Sequence, residues 1–547
     1  MNKIENILKE VLQLAIEKTF DYQINISDVF IELPKDKGHG DYATNVAMQL
    51  AKILKQSPQA IATAIIENLD LEKGNIESCE TAGPGFINFI IKSDSLTSII
   101  KTVLLENDKY GSSDFGKKEK YNLEFVSANP TGDLHPGHAR GAAMGDSVAR
   151  IMEFAGYDVT REYYINDAGS QITNMALSLQ ARYLQHFGVD ADIPEDGYKG
   201  KDIIDIAERL AKEVEDKYVK LPPKESLNYF REYGLIIGLE KIKNTLEAFR
   251  VKYDVWSSEQ SIYDNGLVEE SLKRLKALNV TYSKDGALWL KTTNFGDDKD
   301  RVLVKSDGTY TYLTPDIAYH MDKFDRGFDK LVDFLGADHH GYINRLKAAI
   351  AALGRNKNDL NVDIIQMVRM IKDNQEYKMS KRTGNALSLD DLVEEAGIDA
   401  MRYLFVSKAA DSHMDFDIDM AVKQSNENPV YYVQYAHARL CSILRNVDDF
   451  KEPDSYNLLV HKKETILMKQ INEFTKVINE AAKSRQPHKI CNYVCKLASL
   501  FHSFYGDCKV IVEDKQLKNQ RVALVRATKI TIKNALDLIG VEAVERM

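Results

Sequence analysis

Strand-like and helix-like segments alternate through the central part of this 547-residue chain. Apolar runs rich in β-branched and aromatic residues predict strands near 122–127, 159–165, 330–335 and 364–370, and a segment with helical periodicity follows each of them. Strands that alternate with helices form a parallel sheet with crossover connections, and ligands bind such sheets beyond the carboxyl ends of the strands. The sequence therefore predicts an α/β fold with a ligand site at one edge of a parallel sheet.

The regions before and after the sheet have a different character. A chain of this length should divide into three or four domains, because it is too long for one core. The predicted domains are a small α/β domain at 1–105, the sheet domain at 106–392, a helical connecting segment at 393–425 and an all-helical domain at 426–547. Within the sheet domain, an insertion is predicted at about 177–310, helical at first and ending in a hairpin near Asp307.

Charge is unevenly distributed along the chain. The net charge of −10 argues against a nucleic-acid partner, but residues 426–547 carry 19 Lys and Arg against 14 Asp and Glu, or +5. The rest of the chain therefore carries −15. This asymmetry fits either a C-terminal module that meets a polyanion or an ordinary solvated surface.

Composition also bears on location and on metal content. No uninterrupted apolar run reaches membrane-spanning length, and the N-terminal 18 residues interleave charged with apolar residues at helical spacing. We therefore expect a cytoplasmic protein without membrane contact. Cys491 and Cys495 are the closest pair among five cysteines, and they lack a second pair at zinc-site spacing. Buried thiols are the expected role for them, and no structural zinc is expected.

The His135–His138 motif follows the first predicted strand of the sheet and opens a predicted helix. Pro136 suits a first helical turn, and the helix N-terminus offers free N–H groups to a phosphate. His135 and His138 can add donors, while Gly137 leaves room for a flat ring against the backbone. Two histidines that only cap a helix are the alternative for this motif alone. A zinc pair is less favoured, because Pro136 places His135 before the helix.

A second motif, Lys378–Arg382, lies in a polar loop ahead of a predicted helix. Lys378 and Lys381 are ammonium donors on flexible stems, which suit the negative charge that grows on departing pyrophosphate when an α-phosphorus is attacked. Taken alone, such a string is more often solvated surface. Paired with the first motif, it indicates a phosphate-handling site.

Together the two motifs resemble the paired signatures of class I aminoacyl-tRNA synthetases, and three further segments resemble the arginyl-tRNA synthetase family. These segments are Glu124–Pro130, Trp256–Glu259 and Tyr312–Asp316. The resemblance covers nearly the whole chain. It implies a Rossmann-type catalytic domain with an insertion, an N-terminal α/β domain that contacts tRNA and a C-terminal helical domain that binds the anticodon. Because a guanidinium has five donors and a permanent charge, carboxylates at these places would suit arginine.

Residue roles follow from the resemblance position by position. It implies catalytic roles for His135, His138, Lys378 and Lys381. It implies ATP contacts for Pro136, Gly137, Asp338, His340, Met379, Ser380 and Arg382. It implies arginine contacts for Glu124, Ser127, Asn129, Glu259, Tyr312, Asp316 and His339, with Asp316 and Glu259 opposite the guanidinium and Tyr312 as a packing wall. No protein metal ligand is implied. The alternatives are a first-turn helix acid for Asp316 and an exposed loop acid for Glu259.

Transfer RNA contacts are implied in the N-terminal domain and in the segment Asn428–Arg439. Aromatic rings beside basic groups suit unstacked bases of a single-stranded loop. Tyr432 and Tyr435 are nevertheless spaced like a core stripe, so packing is the favoured role for some of these rings.

The resemblance also implies the reaction: arginyl-adenylate forms from L-arginine and ATP, and arginine is then transferred to the 3′ end of tRNA(Arg). Mg²⁺ is expected with the ATP, activation is expected to need bound tRNA, and the chain is expected to act as a monomer. Two alternatives stay open. A metal-dependent hydrolase built from the histidines and Asp338 leaves Lys378–Arg382 without a use, and a non-catalytic tRNA-binding relative leaves both phosphate motifs without one.

Overall fold

A computed structural model describes residues 3–32, 34, 40–379 and 387–547 of the chain. The helices are α1 (Lys3–Phe20), α2 (Val46–Leu54), α3 (Pro58–Glu67), α4 (Ser93–Glu106), α5 (Pro136–Phe154), α6 (Ser170–His186), α7 (Lys201–Val214), α8 (Pro223–Ala248), α9 (Glu259–Asp264), α10 (Leu267–Ala277), α11 (Leu313–Asp325), α12 (Ile343–Ala352), α13 (Leu389–Ala396), α14 (Ile398–Val406), α15 (Ile418–Val422), α16 (Pro429–Arg445), α17 (Lys462–Asn472), α18 (Phe474–Ser484), α19 (His488–Asp507) and α20 (Lys515–Leu538). In the part of the chain described, none of them is long and apolar enough to cross a bilayer.

The strands form four sheets. They are β1 (Tyr42–Thr44), β2 (Ile76–Ala82), β3 (Phe86–Ile91), β4 (Lys120–Glu124), β5 (Asp158–Ile165), β6 (Val255–Ser258), β7 (Thr281–Lys284), β8 (Ala287–Leu290), β9 (Arg301–Val304), β10 (Lys330–Gly336), β11 (Leu360–Ile365), β12 (Val368–Lys372), β13 (Gln375–Glu376) and β14 (Met414–Asp417). The order β1-β3-β2 gives an antiparallel sheet that packs with α2 and α3 near the N-terminus. The small α/β domain predicted at this end is therefore present.

The central sheet has the order β11-β10-β4-β5-β6, and every neighbouring pair in it is parallel. The chain first moves from β4 outward to β6 and then returns to the other side of β4 to add β10 and β11. This reversal leaves a crevice between β4 and β10 at the carboxyl edge, which is where a sheet of this type binds its ligand. The predicted parallel α/β core is confirmed.

Two sequence predictions within this region need correction. The strand predicted near 364–370 is two strands, because β11 ends the central sheet at Ile365 while β12 begins a second sheet of order β13-β12-β14. The segment 177–310 is not one continuous insertion, because β6 pairs with β5 inside it. Helices α7 and α8 precede β6, and the antiparallel sheet β7-β8-β9 follows it. The four residues of β6 are all half-buried, so they carry no alternating pattern that sequence analysis detects.

The C-terminal part is helical, as predicted, but it is joined closely to the rest. The segment 393–425 contains β14, which pairs in parallel with β12. One continuous hydrophobic core runs from α1 through α5 to α20. At its centre the fully buried Arg402 donates to Asp146 at 2.5 Å, to the Phe249 carbonyl at 3.0 Å and to the Ile539 carbonyl at 3.0 Å. The C-terminal helices therefore contact the helices that flank the central sheet directly at this junction.

Candidate active site

A cavity of about 810 Å³ opens at the carboxyl edge of the central sheet, in the crevice between β4 and β10. Residues from the ends of four strands and from the start of α5 line it. Seven of the residues implicated by the sequence line this cavity: Glu124, Ser127, Asn129, His135, Gly137, His138 and Asp316. Segments that are far apart in the chain therefore converge on one site.

Other predicted residues lie around this cavity or beyond it. Lys378 and Met379 are exposed, and the Lys378 ammonium lies 3.2 Å from Glu376. Tyr312 is 92 % exposed and does not line the cavity, so its predicted role as a packing wall has no support from this placement. Tyr342 provides an aromatic wall instead.

The remaining predicted residues belong to the phosphate motifs and to the turn after β10. Pro136 is the first residue of α5, and the backbone of Asp338, His339 and His340 forms a 3₁₀ turn after β10. Ser380, Lys381 and Arg382 lie outside the described residues.

The two histidines at the start of α5 both cap the helix and face the cavity. Nδ1 of His135 accepts from the N–H of Gly137 at 3.0 Å and of His138 at 3.4 Å, and Nδ1 of His138 accepts from the N–H of His135 at 3.3 Å. The rings are stacked with centroids 3.6 Å apart. Loss of hydration lowers the pKa of His135 and, together with the neighbouring ring, lowers the pKa of His138 to about 3. Both rings are therefore neutral at pH 7, with Nδ1 accepting and Nε2–H free to donate to a phosphate.

This geometry gives a prediction about the tautomers. In nitrogen NMR spectra of histidine-labelled protein, His138 will be neutral and protonated at Nε2 throughout pH 5.5 to 8 because its pKa is lowered to about 3, and His135 will be in the same state at pH 7 because its pKa is also lowered. His138→Asn, whose side-chain oxygen can replace Nδ1 as an acceptor, will remove one of the two signals and assign it. Titration of His138 within this pH range would contradict the assignment.

The loop after β4 holds the polar groups nearest the sheet edge. Val126 and Ser127 both adopt positive φ, at 71° and 41°, which is unfavourable for a β-branched residue and marks a constrained turn. The turn aims the Ser127 hydroxyl so that it donates to Glu124 at 3.0 Å and accepts from the Tyr164 N–H at 3.1 Å. The Asn129 amide donates to Gln171 at 2.5 Å. The constrained turn thus fixes the position of Ser127, for which the resemblance implies a contact with arginine.

Two carboxylates at the site have no cationic partner among the described side chains. The Tyr342 hydroxyl donates to Asp316, and no ion pair of Asp316 or Glu259 is seen within the described ranges. Burial raises the pKa of both groups, and the charge of Asp316 raises that of Glu259 further. Asp316 lies in the first turn of α11, and Glu259 is the first residue of α9 at the end of β6. Asp316 lines the cavity and Glu259 lies close enough to feel its charge, so this part of the cavity is suited to a cationic ligand.

Glu124 differs from these two acids, because a buried cation already balances its charge. The Lys323 ammonium donates to Glu124 at 2.6 Å and to Asp333 at 3.3 Å, and His320 lies 2.8 Å from Asp333. These four side chains are buried beneath the cavity. Glu124 can still accept a hydrogen bond, but its charge is not available to neutralise a ligand.

Sequence analysis missed His320, Lys323 and Asp333. Two signals could have found them. His320 and Lys323 follow Asp316 at intervals of four and seven residues, so they lie on the same face of α11. Asp333 interrupts the apolar run of β10. A charged residue in a strand that is covered on both faces requires a partner.

Three protein-family profiles match the chain in order. They are described as the arginyl tRNA synthetase N terminal domain at residues 5–91, tRNA synthetases class I (R), catalytic domain, at 99–440, and the DALR anticodon binding domain at 433–547. The catalytic profile alone covers more than half of the chain.

Similar proteins agree with these profiles. The arginine–tRNA ligase of Shouchella clausii is 56 % identical over 550 residues, covering 100 % of this chain and 99 % of that protein, and that of Bacillus subtilis is 52 % identical over 551 residues with the same coverage. A Campylobacter jejuni structure titled a putative arginyl-tRNA synthetase has a TM-score of 0.75 at 35 % identity, covering 83 % of this chain and 99 % of that one. The Thermus thermophilus arginyl-tRNA synthetase shares the fold, with a TM-score of 0.78 at 22 % identity and coverage of 99 % and 100 %. The chain therefore belongs to the arginyl-tRNA synthetase family of class I aminoacyl-tRNA synthetases.

Proposed function

We propose that this protein is an arginine–tRNA ligase, which forms arginyl-adenylate from L-arginine and ATP and then transfers arginine to the 3′ end of tRNA(Arg). The observation that carries the proposal is the pair of acids, Asp316 and Glu259, which have raised pKa values and no cationic partner among the described side chains. Asp316 lines the same cavity as His135 and His138, and Glu259 lies close enough to Asp316 for the two charges to interact. A guanidinium would satisfy the acids, and phosphates would meet the N–H donors.

The geometry supports distinct roles for these groups. The arginine side chain would extend toward Asp316 while its α-amino end meets Ser127 and Asn129, so that the carboxylate oxygen approaches the α-phosphorus. His135 and His138 are neutral donors that can stabilise phosphate oxygens without changing protonation. Gly141, one turn along α5, adds open space, because a Cβ there would meet no atom within 4 Å.

Magnesium is proposed to enter with ATP. Side chains at the phosphate end of the cavity are N–H donors, and both Nδ1 atoms already accept backbone N–H groups, so these histidines suit a phosphate better than a metal ion. Mg²⁺ is commonly bound through nucleotide phosphates and water with few protein ligands. When bound, it would neutralise charge on the departing pyrophosphate.

The direct test is charging of tRNA with each of the twenty amino acids, together with tRNA-dependent ATP–pyrophosphate exchange. Arginine alone should be transferred, and exchange should appear only when arginine, ATP and tRNA are all present. Charging by another amino acid, or metal-dependent hydrolysis without charging, would contradict the proposal.

Lys381 offers a separate test of the phosphate loop. Lys381→Ala should lower the adenylation rate about a hundredfold while the affinities for arginine and tRNA change little, because a donor to departing pyrophosphate acts mainly in the transition state. Single-turnover adenylation with saturating substrates measures this rate. Lys357→Ala, an exposed lysine elsewhere, is the control. Adenylation at the normal rate in the Lys381 variant would remove this lysine from the catalytic groups.

The anticodon is proposed to bind a pocket of about 900 Å³ between α16, α19 and the C-terminus. Tyr435, Arg439, Tyr505 and Lys509 line it, and the Arg439 guanidinium lies 4.6 Å from the centre of the Tyr505 ring. Rings and cations on one concave surface suit unstacked bases. Tyr432, by contrast, packs against the core, so the two tyrosines have different environments.

Tyr435→Ala should raise the KM for tRNA about tenfold or more and leave arginine and ATP binding unchanged, since a stacked base contributes about 1 to 3 kcal/mol. Tyr432→Ala should instead lower the melting temperature. Aminoacylation kinetics and thermal unfolding of the two variants measure this contrast. Equal tRNA kinetics in the Tyr435 variant and the unchanged protein would place anticodon recognition elsewhere.

We propose that the protein acts as a monomer in the cytoplasm. Charged tRNA is consumed by ribosomes, which favours the cytoplasmic location expected from the sequence. Light scattering of the protein with and without tRNA tests the monomer directly.

A further inference from the structure

The buried ring of His320 has an oxygen atom at each of its two nitrogens. Nδ1 lies 2.7 Å from the backbone carbonyl oxygen of Asp316, and Nε2 lies 2.8 Å from Oδ2 of Asp333. A carbonyl oxygen can only accept a hydrogen bond. Asp333 also only accepts when it is ionised, and the nearby Lys323 and His320 hold its pKa well below the ordinary range. Both ring nitrogens must therefore carry hydrogen, which makes His320 an imidazolium.

The charges beneath the cavity support this protonation state. Glu124 and Asp333 supply two negative charges, and Lys323 supplies one positive charge at 2.6 Å and 3.3 Å from them. The four-residue group becomes neutral only when His320 carries the second positive charge. Burial alone would lower the pKa of His320, but the charge of Asp333 and the hydrogen bond to it raise the pKa overall. An unbalanced buried carboxylate would be far less favourable.

We propose that His320 is a positioning residue for arginine recognition, whose doubly protonated ring fastens the first turn of α11 to β10 and thereby holds the Asp316 carboxylate at the cavity. The proposal rests on the proposed function, because it assigns a role in the same arginine site. Asp316 lies four residues before His320, so the Nδ1 hydrogen bond reaches the main chain that carries the acid. When the ring loses a proton, one of its two hydrogen bonds breaks and this link is lost.

The proposal predicts how arginine binding depends on pH. The groups facing His320 are Asp316 and Lys323 on its own helix, Asp333 on β10 and Glu124 on β4, with Tyr342 on the far side of Asp316. Lys323 stays charged at neutral and mildly alkaline pH because Asp333 and Glu124 raise its pKa, and Asp333 stays ionised because Lys323 and His320 lower its pKa. Because the pKa of His320 is raised, the ring is protonated below it. Arginine affinity is therefore full below that pKa and falls as the pH rises through it.

The experiment on the unaltered protein combines two measurements. Nitrogen NMR of histidine-labelled enzyme should show a ring protonated at both nitrogens at pH 7, and calorimetry should show the Kd of L-arginine rising at least tenfold across its titration. L-Homoarginine, with the same α-amino group and guanidinium on a longer chain, corrects for titration of the ligand itself. A ring with one proton at pH 7 would overturn the proposal.

A variant separates positioning from simple packing. His320→Gln keeps one donor nitrogen, which cannot reach both oxygens. The Kd of arginine should therefore rise at least tenfold at pH 7 and lose its alkaline dependence, while the Kd of ATP changes less than twofold. His186→Gln, on the exposed end of α6, is the matched control. If the variant binds ATP and arginine more weakly by the same factor, His320 has a packing role and the proposal is overturned.

The failure of this inference and the failure of the proposed function give different results. If the unaltered protein binds no arginine, the proposed function fails. If it binds arginine and the variant binds equally well, only this inference fails.

Discussion

Asp316→Asn should lower kcat/KM for arginine by roughly a hundredfold or more and leave the KM for ATP nearly unchanged. The substitution keeps the shape of the side chain but removes the charge opposite a guanidinium that cannot release its proton. Breaking a buried charge pair costs about 3 to 5 kcal/mol, which sets the size of the loss. Steady-state ATP–pyrophosphate exchange in the presence of tRNA measures it. Asp325→Asn, further along α11 and paired with Arg274 at 2.8 Å, is the matched control.

The same variant should not lose stability. The raised pKa of Asp316 means that its ionised form is unfavourable in the folded protein, so this acid lowers stability above that pKa. Asp316→Asn should therefore unfold at the same or a higher temperature than the unaltered protein at pH 8, without arginine. If Asp316 served only to stabilise the first turn of α11, the variant would unfold at a lower temperature than the unaltered protein. Normal arginine kinetics with a lower melting temperature would assign Asp316 to that structural role.

Citrulline provides the converse measurement, because its neutral ureido group keeps the length of arginine and lacks the charge. The unaltered protein should reject it. Asp316→Asn should narrow the difference between the two ligands, since part of the rejection comes from the unpaired acid. If the ratio of kcat/KM for arginine to that for citrulline is unchanged, Glu259 rather than Asp316 discriminates between the two ligands.

Lys323→Met should lower the free energy of unfolding by about 3 to 5 kcal/mol at pH 7, because it leaves Glu124 and Asp333 buried with too little positive charge. Denaturant unfolding followed by circular dichroism measures this loss. Lys330→Met is the matched control: its ammonium lies 2.5 Å from Asp359, but both side chains are partly exposed, so about 1 kcal/mol or less is expected. Losses of equal size would show that the buried lysine contributes no more than a surface pair.

The stability of this variant should depend on pH more strongly than that of the unaltered protein. In the unaltered protein the pKa of Asp333 is lowered. Its contribution to the free energy of unfolding is therefore present above the ordinary pKa range of a carboxyl group and is lost as the pH falls below that range. Without Lys323 the buried acids favour protonation, so their pKa values rise in the folded state. Stability of Lys323→Met should then increase more steeply as the pH falls from 8 to 5 than that of the unaltered protein, in which the raised pKa of His320 has this effect but Asp333 does not.

The sequence predicted the side chains that line the cavity better than the buried side chains beneath them. His135, His138 and Asp316 stand in short motifs whose spacing is itself informative, and the structure brings them to one cavity. Lys323 and Asp333 lie ten residues apart on different elements, and their contact arises only when α11 packs on β10. The buried contact with Lys323 balances the charge of Glu124, whereas the charge of Asp316 has no such partner among the described side chains. The sequence alone does not show which side chains are brought into contact in this way.

The fold shows the same division. The parallel sheet followed from strands and helices that alternate in the sequence, yet β6 was missed because its four residues are all half-buried. Tyr312 illustrates a second difficulty, because its 92 % exposure depends on the local path of the chain before α11. Motif position predicts that a residue is near the site. It does not predict which way its side chain points.

The junction around Arg402 has a consequence for building hybrid enzymes. Gly540 has a φ of 67°, and a Cβ on it would lie 2.3 to 2.4 Å from the guanidinium of Arg402. The C-terminal residues after α20 therefore fit only a partner that presents Arg402 and Asp146 in the same places. A chimera that takes its helical domain from a distant relative should express poorly unless these three positions are exchanged as a set. Protease cleavage between α14 and α16 should likewise leave two fragments that remain associated rather than two independent domains.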